Sequence, residues 1–99
     1  MGVRSRSSAG GFQAGLSVST AVVTLTVPAT AMCAEIYVRG ASVVFTRNGT
    51  DPTATAGFQA DIGDIIVLNS REDLETVEFI RQGATDATMD VEYFTDLSG

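Results

Sequence analysis

The sequence predicts an all-β protein: a small antiparallel β-sandwich or jelly-roll-like domain with an extended N-terminal arm. Three observations lead there. Apolar and polar residues alternate with period two from Thr20 to Phe94. Turn-forming Gly, Pro, Asn and Asp clusters break that alternation into about six short runs, spaced roughly 8–12 residues apart. Residues 1–19 show neither feature, being dominated by Gly, Ser and Ala with isolated apolar residues. The expected organisation is an arm over residues 1–19 and a β-sandwich over residues 20–99.

The first 19 residues lack the apolar density for a core of their own, so the arm is expected to be extended or flexible when alone. Arg4 and Arg6 make its beginning basic, while residues 51–96 carry eleven of the twelve acids and only Arg71 and Arg81. An arm of opposite sign to the body is suited to an acidic neighbouring surface. Phe12 and Leu16 would give such docking its apolar contacts. Arg4, Arg6, Phe12 and Leu16 are therefore the candidate partner-binding residues.

Val23, Leu25 and Val27 alternate with Val22, Thr24 and Thr26 in a β-branched run that Pro28 ends. Ala34, Ile36 and Val38 face opposite to Glu35, Tyr37 and Arg39. Val43 and Phe45 alternate with Ser42, Val44 and Thr46. The cluster from Arg47 to Pro52 is a turn in which Asn48-Gly49 favours positive φ at both central positions. Asp61-Ile62-Gly63-Asp64 predicts another turn. Ile65-Ile66-Val67-Leu68 is continuously apolar, as in a central strand buried on both faces or one covered by a partner. Ser70 followed by Asp73 predicts a capped helical turn near residues 71–74. The last strands are expected over Thr76–Arg81 and Ala87–Phe94, where Met89, Val91 and Tyr93 alternate with Asp90, Glu92 and Phe94.

Length and composition bound the function. The chain has 99 residues, enough for one domain, and such a domain buries only about 60–65% of its unfolded surface. A single Cys allows no intrachain disulfide, and no Cys/His cluster offers a zinc staple. Oligomerisation is the remaining common route to stability at this size. His and Lys are absent, which removes imidazole triads, Schiff-base lysines and P-loop chemistry. A net charge of −6 and a pI near 4.2 argue against nucleic acid as a partner. No run is long and apolar enough for a membrane span or a signal peptide.

Candidate chemistry reduces to carboxylates and one thiol. Glu72, Asp73 and Glu75 could form an acid pair, but their place at a helical turn beside Arg71 reads as a solvated cap. Asp51, Asp61 and Asp64 could offer oxygens to calcium, although their spacing fits no EF-hand and turn formation explains them. Asn48-Gly49-Thr50 matches a glycosylation sequon and reads better as a turn. Cys33 has no His to activate it and reads as a small buried apolar residue. No catalytic residue, metal or cofactor is expected.

The stretch from Val27 to Tyr93 resembles a group of small tailed-bacteriophage virion proteins. The carrying residues are Val27-Pro28-Ala29, Ala34 through Val43, Asn48 through Ala54, Gly63-Asp64 and Ala84 through Tyr93. The resemblance implies a β-rich virion component, a capsid cement or decoration protein, and supplies no catalytic residues. The expected function is thus a structural subunit, a homotrimer that binds neighbouring major capsid proteins in the virion after assembly in the host cytoplasm. A tail or head–tail connector component is the first alternative, separable by copy number per particle. A carbohydrate-binding surface module, relying on Tyr37, Tyr93 and the phenylalanines, is the second.

Overall fold

The computed structural model describes residues 11–95. They form eight strands and one short helix: β1 (Gly11–Val18), β2 (Val23–Thr24), β3 (Cys33–Arg39), β4 (Val43–Thr46), β5 (Phe58–Ala60), β6 (Ile65–Leu68), α1 (Arg71–Thr76), β7 (Glu78–Arg81) and β8 (Ala87–Phe94). The strands build two four-stranded sheets, ordered β1-β8-β3-β6 and β2-β7-β4-β5. Every pairing is antiparallel. The all-β sandwich expected from the alternation is what the chain forms.

The alternation works through the pleat, which sends successive side chains to opposite faces. In β3, Ala34, Ile36 and Val38 are buried while Tyr37 and Arg39 are exposed. In β8, Ala87, Met89, Val91 and Tyr93 point inward between half-buried Thr88, Asp90 and Glu92. Across the gap, Val43 and Phe79 meet them, with Phe45 packed at the margin. Phe45 stacks at a tilt against Phe79 and Phe58, with centroids 6.0 Å and 5.9 Å apart.

The predicted helical turn is present as α1. Ser70 is its N-cap, and its hydroxyl accepts from the Asp73 N–H. Glu72 and Asp73 lie in the first turn, where the helix dipole favours acids. Leu74 and Val77 enter the core. The Arg71 guanidinium holds the helix to the turn before β3 by donating to the carbonyls of Pro28 (2.6 Å) and Ala31 (2.8 Å).

The structure corrects four expectations. The arm does not extend through residue 19, because Gly11–Val18 form β1, paired along β8 from Tyr93 to Ala87. Gly15, at φ +67, lets a bulge form there. The run from Thr20 to Val27 shrinks to the two residues of β2. Asn48 does not adopt positive φ; Gly49 alone does, at +80°. The Asn48 side chain instead accepts from the Thr50 N–H, a local bond that makes the left-handed conformation unnecessary. Finally, β6 is not central. It stands at a sheet edge, paired to β3 alone among the described strands, so its burial alternates despite the continuous apolar sequence.

Candidate partner-binding surface

Each sheet of the sandwich ends in two edge strands, β1 and β6 in one and β2 and β5 in the other. On one side, β5 closes one sheet and β6 the other, joined by the Asp61–Asp64 turn. That turn is tightly built. The Asp64 N–H donates to the Asp61 carbonyl (2.9 Å), and the Asp61 N–H donates to the Asp64 carboxylate (2.8 Å). Gly63 supplies the positive φ, +92°, that the turn requires. The Asp61 carboxylate accepts from the Gln59 amide (2.7 Å) and the Ser42 hydroxyl (2.9 Å). Those bonds, Gln59 first, hold its pKa below the ordinary aspartate range.

Between β5 and β6 lies an open cleft of about 330 Å³, lined by Phe45, Arg47, Phe58, Asp64, Ile65 and Val67 among others. Its apolar lining is exposed at Phe58 (59%), Ile65 (51%) and Val67 (41%), and Ile62 in the connecting turn is 63% exposed. Four large apolar side chains gathered along one side of a small domain are a feature of interaction sites. Arg47 lies over the Phe58 ring, its guanidinium carbon 5.8 Å from the centroid. The Arg47 carbonyl accepts from the Thr76 hydroxyl, which ties the loop after β4 to α1.

The residues expected to bind partners separate. Arg4 and Arg6 lie outside the described residues. Phe12 stands 66% exposed on the outer face of β1, at the opposite edge from β6. Leu16 is half-buried and packs against the core of its own domain. The alternation of β1 about its bulge turns Leu16 inward beside Met89, its pairing partner on β8. The cleft residues Phe58, Ile65 and Val67 were missed as a group. Their signal was the continuous apolar run at 65–68, legible as a strand in need of cover.

Of the candidate calcium ligands, Asp61 and Asp64 share one turn, but Asp51 is not brought to them. Asp61 binds Ser42, just before β4, whereas Asp51 lies against Glu78, whose pairing partner Thr46 ends β4. Glu75 forms an ion pair with Arg71 (2.9 Å), and Asp73 lies in the first turn of α1, where its N–H donates to the Ser70 cap. No group of three or more His, Cys, Asp or Glu among the described residues is placed to hold a metal ion. Cys33 is fully buried, in agreement with its reading as an apolar filler. Of the two tyrosines, Tyr93 is buried and Tyr37 is exposed, its hydroxyl donating to Glu35. No helix among the described residues is long and apolar enough to cross a membrane.

No protein-family model, curated protein or solved structure matches the chain.

Proposed function

We propose that this chain is a structural assembly subunit of a phage virion, a capsid cement or decoration protein that binds neighbouring major capsid proteins. The observation that carries the assembly part is the exposed apolar lining of the cleft, Phe58, Ile65 and Val67, beside an open sheet edge. Burying such a lining against a neighbour adds hydrophobic stabilisation to a domain with no covalent or metal staple, at about 25 cal/mol per Å². The virion part rests on the resemblance of Val27 to Tyr93 to small phage structural proteins. The subunit is read as a homotrimer, in which a closed ring buries surface that a lone domain exposes. It acts without catalysis.

The basic segment around Arg4 and Arg6 is read as a tether to an acidic shell. Because Gln13 and Leu16 belong to the sheet, the tether is confined to residues before Gly11. The test is to add the full chain, and a chain lacking residues 1–10, to purified undecorated capsids and count bound copies by electron cryomicroscopy. The expected result is hundreds of copies of the full chain per shell and loss of binding on truncation. Six or twelve copies at a single vertex would replace the cement reading with a connector. No binding of the full chain to any shell would refute the virion reading.

A further inference from the structure

The sheet edges are not equivalent. β1 carries the bulge at Gly15, β2 has two residues and β5 has three. Brevity and bulges are devices by which exposed edges avoid pairing with other chains. β6, with four residues, is the longest edge strand without a bulge among those described, and its sequence Ile65-Ile66-Val67-Leu68 contains no charge, proline or glycine.

The hydrogen-bond phase of β6 is set at its start. The Val38 N–H donates to the Asp64 carbonyl at 3.1 Å, and Ile36 and Ala34 lie opposite Ile66 and Leu68. Antiparallel alternation then turns the peptide groups of Ile66 and Leu68 toward β3 and those of Ile65 and Val67 outward. The residues whose peptide groups face away from the sheet are thus also those whose side chains are exposed.

We propose that the β6 edge is a docking site for an extended segment of a partner protein that carries a carboxylate, added as a further strand beside β6. The inference rests on the assembly reading and names where the partner lands and what chemistry it brings. Strand addition draws affinity from main-chain bonds and specificity from alternate side chains. Ile65 and Val67 supply the apolar contacts. Arg47 supplies the charge. Arg39, Arg71 and Arg81 each pair with a carboxylate of their own chain, Asp90, Glu75 and Asp86, at 2.6–2.9 Å. Arg47 pairs with none among the described residues and is held over Phe58 instead. The nearby acids are already engaged, Asp64 by the Asp61 N–H and Asp61 by Ser42 and Gln59. A carboxylate on the incoming strand completes the cleft. A second copy is the poorer occupant, because its β6 brings no acid and each copy carries net charge −6.

The test uses the full chain labelled for NMR and three capped heptapeptides. The first alternates Val with Thr and places Glu at the centre. The second replaces Glu with Lys, and the third is the Glu peptide with N-methylated backbone amides. The Glu peptide is expected to give saturable shifts at Phe58, Ile65, Val67 and the Arg47 side chain. The Lys peptide should bind at least about fivefold more weakly, a difference in the range of a single partly exposed charge pair. The N-methylated peptide should not bind. Arg47→Glu should invert the Glu/Lys preference, and Val67→Pro should abolish binding while leaving the pairing with β3 intact. If Val67→Pro fails to fold, Val67→Lys serves as the edge-blocking variant. The proposal is overturned by absence of shifts at these residues, by equal affinity for Glu and Lys peptides, or by a concentration-dependent dimer that Val67→Lys dissolves. Undiminished capsid decoration by a variant that has lost peptide binding would sink this docking site and leave the assembly reading standing. Peptide binding by a chain that decorates no capsid would do the reverse.

Discussion

The Tyr93 hydroxyl donates a hydrogen bond to Gln13 Oε1 at 3.0 Å, joining two residues that stand 80 positions apart. The same oxygen accepts from the Thr26 N–H at 3.4 Å. One side-chain amide therefore links β1, β8 and the segment after β2, and it makes β1 part of the domain rather than an appendage.

Tyr93→Phe leaves the Gln13 carbonyl short of a partner in a part-buried site. It should lower stability by about 1 kcal/mol. Gln13→Ala should cost a similar amount, and the double variant less than the sum, because the pair shares one bond. Urea unfolding of the four proteins measures the coupling. The phenol is also pH-sensitive, since burial pushes its pKa up to about 12. The native state retains the proton that the unfolded chain releases near pH 10, so this contribution is present below about pH 10 and lost as pH rises toward 12. Tyr93→Phe should remove that part of the alkaline destabilisation.

Gly57 and Gly63 form a matched test of backbone and packing. Both have positive φ, +140° and +92°. A Cβ at Gly57 would stand 2.5 Å from Val44 Cγ1, whereas one at Gly63 would meet nothing within 4 Å. Gly63→Ala should cost about 1 kcal/mol, the conformational penalty alone. Gly57→Ala should cost about 3 kcal/mol or more, because the segment over the outer face of β4 must also move. Val44 points to that outer face yet is only 3% exposed, which shows how closely the segment lies on it. Chemical denaturation midpoints check the order.

Glu78 works against the fold at neutral pH. Its pKa is raised, first by the hydrogen bond with Asp51, then by burial and by the Asp51 charge. One of its oxygens, Oε1, is enclosed without a partner. A carboxyl with a raised folded pKa binds more protons when native, so stability falls as pH rises through that pKa. Glu78→Gln should therefore raise Tm at about pH 7, and the gain should vanish near pH 4, where the wild-type carboxyl is protonated. Asp61 and Asp90 act in the opposite sense. Their lowered pKa values, due mainly to Gln59 and to the Gly15 N–H respectively, give stability that is lost as pH falls below the carboxylate range. Thermal scans across that range separate the two signs.

Cys33 is fully enclosed at the start of β3. A thiol reagent should modify it only when the strand opens, at a rate set by the opening equilibrium. Complete modification within the mixing time under native conditions would contradict the packing. The reaction rate should rise in step with unfolding as urea is added.

Much of the fold was legible locally. The alternation in β3 and β8 follows from the pleat, and the α1 start follows from Ser70 reaching Asp73, so neither depends on distant residues. β1 was hidden because its Gly, Ser and Ala residues carry no β propensity. It becomes a strand through β8, whose other edge is already paired with β3. The packing of Leu16 against the core was hidden with it, because its inward direction depends on the bulge at Gly15. The cleft was half legible: the apolar run at 65–68 indicated a strand needing cover on a second face.

By itself, the amino-acid order determined that this chain is β-built, where most strands run, which turns need glycine, and that no imidazole or lysine chemistry is available. Tertiary structure alone decided strand order, and with it that Ile65 and Val67 stand at an edge beside Arg47 and Phe58. The physical reason is range. Side-chain alternation and capping are satisfied within a few residues, whereas an edge exists only relative to strands paired from distant parts of the chain.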